Sequence, residues 1–178
     1  MLRRGRPVGR GKAGRAPEHP DSPEAARRTA LLLLGRRDYA SGELLAKLTV
    51  GGYTSSAAEA ALEALREERL LDDGRFLENF VRAHAARGQG PARIRQELMA
   101  RGFGESQIAE ALAGGPDFAA LCREVRRRRF GAKAPGSWAE KGKQARFLQY
   151  RGFSSDHIRL AMGQDPDSAD NPADDFLD

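Results

Sequence analysis

The chain is 178 residues long, 40% hydrophobic and 31% charged, with one cysteine and a net charge of +5; this allows one ordinary domain or a short array of smaller units and excludes an internal disulfide. No apolar run approaches the ~18–20 residues that span a bilayer, and the Arg-rich start lacks the apolar stretch of a secretory signal, so a cytoplasmic protein is expected. The charge is uneven: residues 1–37 sum to +7, 38–78 to −5, 79–122 to +1, 123–151 to +8 and 152–178 to −6; a polyanionic or acidic partner is the natural counterpart of the basic block, and a solvated face of an Arg-rich protein is the alternative.

Residues 1–22 read as a disordered basic leader that adds nonspecific attraction to DNA. A first helix is expected from about residue 23 to 36, with Ser22 as cap and Pro23 in the first turn. The segment Leu48-Thr49-Val50-Gly51-Gly52-Tyr53 then recurs every 50 residues, as Leu98-Met99-Ala100-Arg101-Gly102-Phe103 and Leu148-Gln149-Tyr150-Arg151-Gly152-Phe153. The register continues through Ala58, Ile108 and Ile158, and through Ala61, Ala111 and Ala161. This spacing is that of a helix stop. The glycine takes a positive φ cheaply, and the leucine in the last turn meets the aromatic that follows the glycine. New helices are expected near Ser55 or Ser56, Gly104 or Glu105, and Ser154 or Ser155, with Ser56 and Glu59 at capping-box spacing. The first of these buries Ala58, Ala61, Leu62 and Leu65, which fall on one face.

A further helix precedes the second and third copies. One runs from about residue 73 to 87, with Phe76, Leu77, Phe80, Val81 and His84 on one face and Asp72-Asp73 at its start, where carboxylates cap and complement the dipole. The other runs from about 117 to 129 and buries Phe118, Leu121, Cys122 and Val125. Glycine-containing loops at 88–91, 114–116 and 131–136 separate the elements. The expected fold is all-α, three tandem three-helix repeats forming an elongated, curved body: repeat 1 at 23–71, repeat 2 at 72–115 and repeat 3 at 116–163, followed by a disordered acidic tail at 164–178. Each aromatic after the glycine should contribute ~1.5–3 kcal/mol by burial, with stacking of neighbours completing the small cores.

Chemistry-bearing motifs are sparse. His19, His84 and His157 stand at no metal-ligand spacing with Cys122, and Cys122 lies on an apolar helix face as a core residue. There is no Walker loop, and Gly88-Gln89-Gly90 lacks the third glycine and the preceding strand of a dinucleotide fingerprint. No catalytic, cofactor-binding or metal-binding residue is assigned, and the chain is not expected to be an enzyme.

The stretch Leu71-Asp72-Asp73-Gly74-Arg75-Phe76, followed by Gly90-Pro91, Ile94, Leu98 and Arg101-Gly102-Phe103, resembles the central region of the RecX regulatory proteins. The run from Lys143-Gln144-Ala145-Arg146 to Gly152-Phe153-Ser154 is similar to that family's C-terminal region, and Ser41, Glu43-Leu44-Leu45 and Lys47-Leu48 match its first repeat. The resemblance covers roughly residues 25–163. It implies three three-helix repeats, and a protein that binds the groove of RecA filaments on DNA. It further implies suppression of RecA ATP hydrolysis, strand exchange and coprotease activity in DNA repair, recombination and the SOS response. The partners expected are thus the RecA filament and, weakly and nonspecifically, DNA, with no membrane, no cofactor and a monomeric chain.

The exposed bases of the second and third repeats are the expected contacts: Arg93, Arg95, Arg101, Lys141, Lys143, Arg146 and Arg151, with Arg126, Arg127, Arg128 and Arg129 as a continuous basic turn. Cations at a helix C-terminus are also favourable with the dipole alone. Asp72, Asp73, Arg75 and Phe76 match the family signature, with a capping role for the aspartates and a core position for Phe76. Gly51-Gly52-Tyr53 departs from the Arg-Gly-Phe of the later copies and lies in an acidic repeat, which makes it a poor phosphate contact. The alternative is a helical DNA-binding module that acts without RecA, since helix–turn–helix units can read DNA. Such a module would show steep salt dependence and gain nothing from RecA. A scaffold of helical repeats, binding a partner without altering RecA turnover, is a third reading.

Overall fold

The computed structural model describes residues 17–163, so the acidic tail and most of the basic leader lie outside the described residues. Among the described residues the protein is all-helical: α1 (Pro23–Leu34), α2 (Ser41–Val50), α3 (Ser55–Glu67), α4 (Asp73–Ala86), α5 (Pro91–Met99), α6 (Glu105–Ala113), α7 (Phe118–Phe130), α8 (Trp138–Tyr150) and α9 (Ser155–Ala161). They form two compact units, one ending at Asp72 and one starting at Asp73.

In the first unit Ser22 caps α1 by accepting from the Ala25 amide at 3.1 Å, and the helix stops at Leu34, two residues before the expected end. Ala30, Leu44, Leu48, Ala58, Leu62 and Leu65 interlock as its core, with Tyr39 and Leu71 closing it. The cap of α3 is Thr54, whose hydroxyl accepts from Ala57 N at 3.3 Å. The expected box of Ser56 and Glu59 does not form, because the helix starts at Ser55 and Ser56 already lies inside it. Residues 17–22, assigned to the leader from sequence, pack on this unit: Thr54 N donates to the Pro20 carbonyl at 3.0 Å, and the Pro17 ring covers Gly52.

All three repeated segments are the same helix stop. Gly52, Gly102 and Gly152 have φ of +103°, +87° and +90°. The amides of Tyr53, Phe103 and Phe153 donate back to the carbonyls of Leu48, Leu98 and Leu148 at 3.1, 3.3 and 3.2 Å, which is the bond that joins the residue after a left-handed glycine to the last helical turn. The three aromatics then diverge. Phe153 is buried in the core of Cys122, Val125, Leu148 and Ala161, whereas Tyr53 and Phe103 are only half-buried. Tyr53 turns its hydroxyl to Thr29 Oγ1 (2.8 Å) and the Ala25 carbonyl (3.1 Å), and Phe103 stacks on buried Phe76 with ring centroids 5.7 Å apart. The full burial term expected for each aromatic therefore belongs to Phe153.

In the second unit the stop after α8 is driven into the start of α5. Gly90 N donates to the Arg151 carbonyl at 2.8 Å, and Ala92 N to the Gly152 carbonyl at 3.0 Å. A Cβ on Gly152 would lie 2.5 Å from Arg93 Cβ, and one on Gly90 2.4 Å from the Gly152 carbonyl carbon. Two glycines from distant parts of the chain thus allow two backbones to touch. The equivalent position Gly102 has open space around it. Nearby, Asp117 caps α7, accepting from Ala119 N and Ala120 N at 2.9 and 3.0 Å; those bonds, that to Ala120 foremost, hold its carboxyl below the usual range.

Candidate functional site

The bases singled out from sequence separate into two groups, one engaged in packing and one presented outward. Arg126 belongs to the first. It is 7% exposed, its Nε donates to Gln144 Oε1 at 2.9 Å, and Nη2 donates to the Lys133 carbonyl at 2.6 Å. It therefore ties α7 to α8 and to the loop between them. Positions 118, 122, 125 and 126 share one helical face, so the expected continuous basic turn is interrupted: Arg127, Arg128 and Arg129 are exposed and Arg126 is not.

Arg101 and Arg151, which precede the glycines of the second and third helix stops, are both half-buried. Arg101 donates to the Glu97 carbonyl at 2.6 Å and lies over the Phe80 ring at 4.6 Å. Arg151 donates to the Arg87 carbonyl at 2.9 Å and lies over Phe147 at 5.3 Å. These two side chains, expected as exposed contacts, brace the turns. Arg93 is half-buried, with Nε 3.3 Å from Glu97 Oε1. Glu97 also accepts from Gln89 Nε2 at 3.3 Å, and His84, whose Nδ1 pairs with Gln89 Oε1 at 2.5 Å, stands 3.4 Å from the same carboxylate. Arg95 pairs with Glu105 at 3.3 Å, and Arg128 with Glu124 at 2.5 Å.

The outward group is Lys143 and Arg146 on α8 and Arg127 and Arg129 on α7. All four are exposed, and none is among the ion pairs formed within the described residues. Lys141, by contrast, is half-buried beside Trp138, Ile158 and Met162 in a groove between α8 and α9. Lys143, Arg146 and Tyr150 follow one another at i, i+3 and i+7, and so lie along one face of α8. Tyr150, which sequence reasoning did not single out, is 77% exposed. Its signal was available: α8 turns Gln144 and Leu148 inward, and Tyr150 falls off that stripe at the position filled by Val50 and Ala100 in the other copies. The docked turn sets Tyr150 beside α5, with Arg93 Cζ 5.8 Å from the ring centroid. Between them is a polar recess of about 410 Å³ lined by Ala92, Arg93, Gln96, Glu97, Gln149, Tyr150 and Gly152. Arg127 lines a separate recess with Arg123 and Glu124.

Of the signature residues, Phe76 is buried and stacks on Phe80 and Phe103. Asp73 opens α4, while Asp72 and Arg75 are exposed. Cys122 is buried, and burial pushes its thiol up to about 12, so at neutral pH it is a protonated core side chain. Among the described residues no group of three or more His, Cys, Asp or Glu is placed to hold a metal, and no helix is long and apolar enough to cross a membrane.

The class of protein defined by this arrangement is an all-helical one, built of repeated three-helix units that share a glycine stop and carry basic side chains outward. Comparison with known proteins agrees. The sequence pattern of the RecX second three-helix domain matches residues 72–112, and that of the RecX third three-helix domain matches residues 117–162. Regulatory protein RecX of Halorhodospira halophila (strain DSM 244 / SL1) is 49% identical over 139 residues, which is 78% of this chain and 86% of that protein. Regulatory protein RecX of Pseudomonas entomophila (strain L48) is 44% identical over 147 residues, 82% of this chain and 95% of that protein. A crystal structure of regulatory protein RecX superposes with a TM-score of 0.65 at 26% identity, covering 79% of this chain and 71% of that one. RecX from Lactobacillus salivarius, at a TM-score of 0.67 and 20% identity over 79% of this chain and 94% of that one, shares the fold. The chain belongs to the RecX family of regulatory proteins.

Proposed function

We propose that this chain is a cytoplasmic, monomeric regulator that binds the RecA nucleoprotein filament and inhibits or modulates RecA ATPase, recombinase and coprotease activity in DNA repair, with weak nonspecific contact to DNA. Membership of the RecX family is the observation that carries this reading. The exposed cations on α7 and α8 support it, because they stand free to meet phosphates or an acidic protein surface. A regulator of this kind needs no reacting group. It acts by binding one state of the filament more tightly than another, and the shift it produces is limited by that difference in affinity.

The contact set follows from the outward group. Lys143, Arg146, Arg127 and Arg129 are proposed as its centre, with Arg93, Arg95, Arg128 and Lys141 at its margins, and with Arg101, Arg126 and Arg151 holding the scaffold. The test is DNA-dependent ATP hydrolysis by RecA with the protein titrated in. Dose-dependent inhibition is expected from the parent chain, and inhibition weakened at least tenfold is expected from Lys143→Glu with Arg146→Glu. Because both side chains are exposed, the double variant should keep its helical circular dichroism. A parent chain that leaves RecA turnover unchanged at every dose would overturn the proposal.

A further inference from the structure

We propose that the recess between α5 and the end of α8 receives an unpaired base of single-stranded DNA, stacked on Tyr150, with the flanking phosphates drawn to Lys143 and Arg146. This rests on the reading that the chain works on nucleoprotein, but it assigns a contact to the nucleic acid itself. Four observations converge on it. First, Tyr150 keeps most of its ring in water, although the other two copies of the repeat show that the fold requires no aromatic there, Val50 and Ala100 serving as well. An exposed aromatic beside cations is the combination by which proteins hold single strands without reading their sequence, since every base offers a π-face.

Second, the cations are in line with it. Lys143 and Arg146 lie on the same face of α8 as Tyr150, and at a rise of ~1.5 Å per residue Lys143 is about 10 Å from Tyr150 along the axis, a span of one to two nucleotides. Third, the recess has a guanidinium on its second side. Arg93 Cζ stands over the Tyr150 ring, 5.8 Å from its centroid, within the range of cation–π attraction but too close for a base to lie between them, so an incoming base takes the place of the guanidinium on the ring. Gln96 and Gln149 supply neutral amides that can both donate and accept at a base edge. Fourth, the one carboxylate in the recess, Glu97, is already paired with Arg93 and accepts from Gln89, and the guanidinium offsets its repulsion of phosphate. A duplex is a poor occupant, because its bases are paired and stacked and cannot reach the ring without being extruded.

The experiment uses the full chain and a short single-stranded oligonucleotide carrying one 2-aminopurine, whose fluorescence is quenched by stacking, at low salt and without RecA. The parent should quench the probe. Tyr150→Phe should keep both quenching and affinity, whereas Tyr150→Ala should lose the quenching and bind about tenfold more weakly with an unchanged slope against salt. The pair Lys143→Ala and Arg146→Ala should retain residual quenching and lower the slope of log affinity against log salt by about 1.4, or ~0.7 per phosphate contact on a single strand. Equal quenching by parent and Tyr150→Ala would overturn the stacking site, as would a matched duplex bound as tightly as the single strand. Either result, alongside intact inhibition of RecA turnover by the parent, removes this inference and leaves the filament reading standing.

Discussion

Arg126 and Arg127 are neighbours of the same type with opposite roles, and the difference is set by which face of α7 each occupies. Removing the Arg126 side chain leaves the buried Gln144 oxygen and the Lys133 carbonyl without their donor, and a buried unsatisfied acceptor costs about 1–3 kcal/mol. Arg126→Ala should therefore lower stability by about 2 kcal/mol or more, and Arg127→Ala should stay within ~0.5 kcal/mol, as read from urea midpoints of the two variants. Equal midpoints would mean that the buried guanidinium is not a tie. At this scale the sequence was only partly legible. Charge marks the run from Arg126 to Arg129 as one basic turn, and only the phase of Phe118, Cys122 and Val125 shows that one member points into the core. Arg101 and Arg151 were harder to read, because their acceptors are backbone carbonyls, Glu97's on the same helix and Arg87's far along the chain, and no side-chain pattern records those.

The three glycine stops share a conformation but not a surrounding. An alanine at φ near +90° costs about 1–2 kcal/mol wherever it stands. At Gly102 that is the whole penalty, since nothing lies within 4 Å of the added Cβ, while at Gly152 the Cβ meets Arg93 Cβ at 2.5 Å and its amide nitrogen at 2.6 Å. Thermal or urea unfolding should thus show Gly102→Ala as a mild variant and Gly152→Ala as a severe one, with a gap of ~2 kcal/mol or more from forced separation of packed backbone. Similar losses for both would show that the docked turn contributes little. The helices and stops were well legible in the sequence, because a leucine, a glycine and an aromatic in fixed phase describe a local geometry. The helix α3 starts at Ser55, within the expected bounds, but its cap is Thr54 and not Ser55 or Ser56, since all three are competent oxygen acceptors and the start of the helix decides among them. The unequal burial of Tyr53, Phe103 and Phe153 could not be read at all, because it depends on what packs over each turn.

At the scale of the molecule, the first unit and the second each close a hydrophobic core of their own. Within the second unit, α4–α6 and α7–α9 are joined by main-chain hydrogen bonds from Gly90 and Ala92. A fragment of residues 73–163 should accordingly retain helical circular dichroism and one cooperative urea transition. A fragment of residues 117–163, small and stripped of that seam, should unfold at much lower urea or fail to fold. Two separate transitions in the longer fragment would contradict the joint. The meeting of Gly90 with Gly152 also bears on how such a chain can drift over generations. A bulge in one packed side chain is ordinarily repaired by shrinking its neighbour, but a Cβ on Gly90 would strike the main chain of Gly152 and Phe153, and one on Gly152 would still meet the Arg93 amide nitrogen at 2.6 Å after the Arg93 side chain was trimmed. Neither position has a second-site suppressor at the other, so lineages that lose one of these hydrogen-only side chains have no route back through its mate.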